Sequence, residues 1–256
     1  MDAPGAHGDH AVLNMSAPYH IDHLVKRYEN GVLAVNDLNL EVQAGEIFCM
    51  LGANGAGKTT TLMVSLGFTE PTSGTVQING FDITKAPLEA KSRVAYVSEN
   101  VQLYGNFTAM QNMRFFTELS GREGARDDLL TDVLTRVGLE ADAHDRRVRG
   151  FSKGMRQRVG IAIAIMREAG VILLDEPTSG LDPKGGVDFL RLLRELREEQ
   201  RAIFMTTHDI FRAREVADRV GIMVRGELVR VLERKEIEAA DLGKMYTDYI
   251  DQATDP

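Results

Sequence analysis

Residues 52–59 read Gly-Ala-Asn-Gly-Ala-Gly-Lys-Thr, and no other stretch constrains the fold of this chain as tightly. Its glycines let successive backbone N–H groups turn inward around one anion, a conformation closed to most other residues. The apolar run Glu46–Leu51 (EIFCML) precedes it, and a helical pattern over Lys58–Phe68 follows. The stretch is therefore a strand–loop–helix joint, and the N-terminus of the helix adds partial positive charge at the same point. The pattern GxxxxGK[ST] is matched without a mismatch and in the required context. In that reading Gly52, Asn54, Gly55, Ala56 and Gly57 frame a phosphate cradle, closed by Thr60 on the first helical turn. Lys58 meets the β and γ phosphates, and the Thr59 hydroxyl ligates Mg2+.

The rest of the chain alternates between strands and helices. Thr75–Asn79 alternates like a strand, with Asn79-Gly80 as its turn. Arg93–Val97 is a further strand, and residues 108–121, 127–139 and Met155–Glu168 carry apolar positions at helical spacing. Val171–Leu174 is short and wholly apolar, as a buried parallel strand should be. Asp182-Pro183 reads as an N-cap followed by proline at the first helical position, with Val187, Leu190, Leu193 and Leu196 as the apolar stripe behind it. Ala202–Thr206 is a strand, 209–219 a helix, and 220–224 and 227–231 strands. Such alternation predicts an α/β fold with a mostly parallel sheet and helices on both faces. The helix-only stretch near 105–150 interrupts it and reads as an inserted helical subdomain. Residues 1–18 are small, polar and aperiodic, and are expected to form a disordered tail. His7, His10, His20 and His23 lack metal-ligand spacing and read as solvated side chains.

Composition narrows the function classes. The chain has 256 residues, with 30 basic and 38 acidic side chains and a net charge of −8. That balance argues against a nucleic-acid partner, which needs clustered Lys and Arg to neutralise phosphates. The single cysteine, Cys49, excludes an internal disulfide and reads as core packing. The longest apolar stretch, Val159–Met166, is eight residues including Gly160, against roughly 20 for a membrane-spanning helix. The opening MDAPGAHGDH has neither the basic nor the apolar segment of a signal peptide. A soluble, acidic, intracellular protein is expected.

Two further motifs complete the chemistry. Val171-Ile172-Leu173-Leu174-Asp175-Glu176 presents Asp175 at the end of a buried strand, where it would meet Mg2+, and Glu176 one residue on, where it can polarise an attacking water. Phe151-Ser152-Lys153-Gly154-Met155, followed by Arg156-Gln157-Arg158, puts a hydroxyl and backbone N–H groups at another helix N-terminus.

Taken together and in this order, these motifs resemble the ATP-binding subunits of ABC transporters over about residues 19–235. Ser152 and Gly154 then belong to the family's signature loop. The resemblance implies that Tyr28 stacks on adenine. It also implies that Ser179-Gly180-Leu181-Asp182 joins the two sites of a dimer, with Asp182 near nucleotide, and that His208 contacts the γ-phosphate. Its fold is a P-loop NTPase core with a mostly parallel sheet, an antiparallel β subdomain and an inserted helical subdomain at about 100–165, here followed by a short C-terminal helical extension over 236–256. It further implies an ATPase using ATP and Mg2+, with Lys58, Glu99, Glu176 and His208 in catalysis and Thr59, Glu99 and Asp175 on the metal. The active form would be a head-to-tail dimer in which Ser152 and Gly154 of one copy close the ATP of the other. The partners would be a second nucleotide-binding subunit and a polytopic membrane permease, contacted around Gln102–Thr117, at the cytoplasmic face of the plasma membrane.

Two positions depart from the family's pattern. Glu99 stands where glutamine is usual; a carboxylate is a good Mg2+ ligand but adds negative charge beside the nucleotide. Lys153 stands where glycine is common. Both departures, and the ending Asp241–Ile250, resemble the branch of exporters whose permeases are separate chains. The alternative is a soluble ABC ATPase driving a protein assembly such as iron–sulfur cluster biogenesis.

Overall fold

All five residues of the run Ile47–Leu51 are buried, so this strand must be covered on both faces. The computed structural model describes residues 17–122, 124–239 and 241–254 and supplies that cover. In chain order the elements are β1 (Tyr19–Arg27), β2 (Leu33–Val42), β3 (Ile47–Leu51), α1 (Lys58–Ser65), β4 (Ser73–Ile78), β5 (Phe81–Asp82), α2 (Pro87–Ser92), β6 (Val94–Val97), α3 (Ala109–Leu119) and α4 (Asp127–Arg136). They continue with α5 (Lys153–Met166), β7 (Val171–Asp175), α6 (Pro183–Glu198), β8 (Ala202–Thr207), α7 (Ile210–Val216), β9 (Arg219–Val224), β10 (Glu227–Glu233), α8 (Arg234–Ala239) and α9 (Leu242–Thr254).

The strands form two sheets. A six-stranded sheet has the order β10-β9-β3-β8-β7-β6, and a four-stranded sheet the order β2-β1-β4-β5. In the larger sheet only the β9–β10 edge hairpin is antiparallel; the other pairings are parallel. The smaller sheet is antiparallel throughout. This is the α/β fold expected from the sequence, with its added antiparallel layer.

The alternation of side chains along each central strand divides the core in two. Phe48, Met50, Leu173 and Phe204 join residues of β1, β2, β4 and α1 in one cluster, between the sheets. Cys49, Leu51, Ile172, Leu174, Ile203 and Met205 face the other way and join residues of α3 to α7. Aromatic contacts stiffen the first cluster: Phe48 stacks on Phe204 at 6.0 Å and Tyr19 meets Phe204 edge-on at 5.3 Å. The buried Tyr19 hydroxyl lies 2.7 Å from Ser65 Oγ, so α1 is fastened to the antiparallel sheet at its far end.

Helix boundaries follow their caps. Thr108 and Gln111 form a capping box at the start of α3, Ser152 caps α5, Asp182 caps α6 with Pro183 at its first position, and Asp209 caps α7. One sequence expectation is corrected. Val187 is 51% exposed and lies off the buried face of α6, which carries Phe189, Leu190, Leu193 and Leu196. Steps of three residues turn 300°, so a stripe of such steps lags 60° each time and leaves the face within a few turns. The structured chain also reaches back beyond residue 19: Ala17 is buried and the Pro18 carbonyl accepts a hydrogen bond from Asn79 N–H. The rest of the expected tail, with His7 and His10, lies outside the described residues. His20 and His23 pair with Glu41 and Asp37 on the surface of the antiparallel sheet. No helix among the described residues is long and apolar enough to cross a membrane.

Burial pushes the Cys49 thiol far above the ordinary thiol range, and only the thiolate reacts. A soluble thiol reagent at pH 8 should therefore label no cysteine in the folded protein and one per chain in denaturant. Labelling of the native chain would show that β3 opens.

Candidate functional site

Parallel pairing brings the C-terminal ends of β3, β6, β7 and β8 to one edge of the sheet, where the registers Leu51↔Thr207, Asp175↔Thr206 and Val97↔Leu174 align them. Ligands of open parallel sheets bind at this edge. The chain leaving these strands supplies, in turn, Gly52–Gly57, Glu99, Glu176 and His208.

The loop after β3 is held from behind and open in front. Gly57 has φ 111°, and a Cβ there would lie 2.3 Å from the Ala34 carbonyl oxygen of β2. Gly226, in the β9–β10 turn, donates its N–H to the Ala56 carbonyl at 2.8 Å. In front, Asn54 and Gly55 are exposed, and the space beside Gly55 Cα is empty. No side chain caps the N-terminus of α1, and its first turn holds no acidic residue. The orphan amides of that turn and the dipole of α1 therefore present an anion seat.

Lys58 reaches across this seat. Its side chain is 6% exposed, and Nζ donates to the carbonyls of Gly52 at 2.6 Å and Ala53 at 3.3 Å. Nζ also lies 3.4 Å from Glu176 Oε1. The other oxygen of Glu176 accepts from the His208 backbone N–H at 3.3 Å and lies 2.9 Å from His208 Nδ1. Glu176 itself has φ 45°, an uncommon conformation for a side-chain-bearing residue. Its N–H is tied to the carbonyl and hydroxyl of Thr206 at 3.2 Å each, which holds that turn. The carboxylate is thus clamped between an ammonium on one oxygen and an imidazole on the other.

Thr59 and Asp175 form the second feature. Thr59 Oγ1 is 3.4 Å from both Asp175 carboxylate oxygens, and Thr206 Oγ1 donates to Asp175 Oδ1 at 2.6 Å. Burial raises the Asp175 carboxyl above its usual range, a cost that a bound cation would offset. Adjacent oxygens around an octahedral Mg2+ with bonds of about 2.1 Å lie about 3 Å apart. A hard hydroxyl and carboxylate at 3.4 Å fit that ion. Tyr28 flanks the seat, its hydroxyl 3.5 Å from Thr60 Oγ1 and its ring 5.0 Å from Lys26 Nζ.

The remaining sequence candidates lie elsewhere. Ser152 caps α5, accepting from Met155 N–H at 3.2 Å. Asp182 caps α6, accepting from Gly185 N–H at 2.9 Å. With Gly154 and Leu181 they line a cavity of about 200 Å³. Among the described residues no hydrogen bond or ion pair joins Ser152, Gly154 or Asp182 to residues 52–60. Glu99 bonds neither Thr59 nor Asp175; its Oε1 accepts from Lys153 Nζ at 3.1 Å and Ser179 Oγ at 2.9 Å. The structure therefore gathers Tyr28, Lys58, Thr59, Thr60, Asp175, Glu176 and His208, and sets Ser152, Gly154 and Asp182 apart. Sequence reading assigned no role to Thr206, which holds both acidic residues, although it lies two positions before His208 on a legible strand.

The sequence profile of the ABC transporter family matches residues 35–179. The chain is 37% identical over 202 residues to the ABC transporter ATP-binding protein NatA of Bacillus subtilis, covering 77% of this chain and 81% of that protein. It is 37% identical over 197 residues to the bacitracin transport ATP-binding protein BcrA of Bacillus licheniformis, of which it spans 63%. Among solved structures it resembles a dimeric ATP-binding cassette in a post-hydrolysis state bound to ADP and Pi. The TM-score is 0.78 and the identity 26%, over 84% of this chain and 98% of that one.

Lys58→Ala removes the charged donor aimed across the anion seat. Loss of one charge-assisted hydrogen bond weakens binding by about ten- to a hundredfold. Calorimetry with a nucleoside triphosphate should show that loss, and an unchanged affinity would contradict the seat.

Proposed function

The chain belongs to the ABC transporter family, and we propose that it binds and hydrolyses ATP to drive a membrane exporter whose permease is a separate chain. The observation that carries this reading is the clamp of Glu176 between Lys58 and His208, beside the Thr59–Asp175 pair. In this reading the amides of the α1 turn and Lys58 hold the β and γ phosphates, and Tyr28 stacks on the adenine. Thr59 and Asp175 hold Mg2+, which when bound offsets the charge of the phosphate oxygens. Glu176 takes the proton of the attacking water, and general bases of this kind contribute about 10²–10⁴-fold. His208 orients the carboxylate through the 2.9 Å contact and faces the γ-phosphate.

The separation of Ser152 and Gly154 from the loop after β3 supports a site completed by a second copy. Their helix N-terminus is a second anion seat, without a phosphate of its own within the chain. A two-fold dimer puts each such seat over the other copy's triphosphate. ATP then joins the two copies, and loss of the γ-phosphate releases them. The resemblance to a dimeric cassette supports this arrangement.

The permease surface is read on the loop and helix around Gln102–Thr117. Tyr104 and Phe107 are exposed and pack with Phe115 and Phe116 in one aromatic cluster. A groove of about 430 Å³ beside them is lined by Gln102, Leu103, Arg149 and Arg156. Aromatic and arginine side chains of this kind anchor protein interfaces. The export direction, at the cytoplasmic face of the plasma membrane, rests on the branch marked by Glu99 and Lys153, with BcrA as a relative named for bacitracin transport.

Glu176→Gln should keep ATP affinity within a few-fold and lower turnover by about 10²–10⁴-fold; hydrolysis at the parent rate would remove the role given to Glu176. Tagged protein drawn from detergent-solubilised membranes of its native cells should bring with it a polytopic membrane protein, identified by mass spectrometry. Recovery of soluble partners alone would favour the assembly ATPase instead.

A further inference from the structure

The two positions that depart from the family's pattern touch each other. Lys153 Nζ lies 3.1 Å from Glu99 Oε1, and the same ammonium is 3.4 Å from Ser179 Oγ, which itself donates to Glu99 Oε1 at 2.9 Å. Lys153 reaches Glu99 by lying across Gly180. A Cβ at Gly180 would come within 3.2 Å of Lys153 Cδ, and Gly180 has φ 71°. Three segments meet at this point: the loop after β6, the first residue of α5 and the loop after β7. A cation in the first turn of a helix opposes the helix dipole, so Lys153 is poorly placed unless an anion faces it. Glu99 is that anion, and the Lys153 and Ser179 hydrogen bonds hold its carboxyl below the usual range.

We propose that Lys153 is a positioning residue for Glu99: it holds that carboxylate against Ser179, so that Glu99 can turn toward a Mg2+ ion at Thr59 and Asp175 only by releasing Lys153. This rests on the reading of Thr59 and Asp175 as the Mg2+ pair. The release has a mechanical consequence. Lys153 begins the helix capped by Ser152, and Ser179 precedes the loop carrying Leu181 and Asp182. Opening the contact therefore frees the segments on both sides of the cavity that Ser152, Gly154 and Asp182 line. Metal capture in one seat and freedom of the other become a single event.

The test is a double-mutant cycle read as the Mg2+ concentration that half-saturates binding of a non-hydrolysable ATP analogue. Lys153→Met keeps the apolar stem over Gly180 and removes the charge. Partly exposed ion pairs are worth little, so freeing Glu99 should lower half-saturating Mg2+ by about two- to fivefold. In a Glu99→Gln background the same change should have no effect, because no carboxylate is left to release. Thermal unfolding of each nucleotide-free variant checks that it is folded. A shift of equal size in both backgrounds would show only the general loss of a positive charge, and would overturn the proposal, as would no shift in either. If the parent itself binds the analogue without any Mg2+ dependence, the functional reading fails first and the proposal falls with it.

Discussion

Two carboxylates and one ammonium lie almost out of water at the end of the parallel sheet, and their mutual placement governs the site. Lys58 and Asp175 are buried, and the Glu176 side chain is 13% exposed. Leaving any one of them unpaired would cost several kcal/mol, so each is fixed by the others and by Thr206. Thr206 can do this because β8 lies between β3 and β7. Its register with Asp175 puts one hydroxyl within reach of the Asp175 carboxylate and the Glu176 amide. The two-faced core behind these strands keeps that register, since a one-residue slip would exchange the two buried faces.

The same edge carries two unlike jobs. The loop after β3 is backed by β2 and the β9–β10 turn, which hold its backbone from behind. Beyond β6 and β7, Glu99, Lys153 and Ser179 hold one another through partly exposed polar groups. An anion seat backed by the main chain, beside a partly exposed polar contact, suits the proposed conversion of nucleotide binding into movement.

Legibility in the sequence followed how local the signals were. β3, its loop and α1 were readable because the glycines, the lysine and the flanking apolar run all lie within about two dozen residues. β7 with Asp175 and Glu176 was readable for the same reason. β1 and β2 were not found by pattern. Register shifts between Ile21 and Leu24, and between Leu24 and Lys26, break the period of two, and His23 and Asp37 sit at positive φ. The C-terminal helices and the antiparallel layer came from family resemblance. The Glu99–Lys153 contact was visible only as two unusual residues 54 positions apart. Nothing local says that the missing side chain of Gly180 lets them meet. The placing of Ser152 and Lys58 in different composite sites likewise came from family resemblance, since no local pattern in the sequence relates the two helix N-termini.

The central claim is that one chain supplies half of each ATP site and a second copy the other half. Its direct test is cross-linking between chains that carry Asn54→Cys or Ser152→Cys, using a short bifunctional thiol reagent, since the only native cysteine is buried. The account predicts a covalent heterodimer when the two variants are mixed with Mg2+ and a non-hydrolysable ATP analogue, and none when the analogue is left out. Binding of the analogue without that cross-link, or the same yield in its absence, would contradict it.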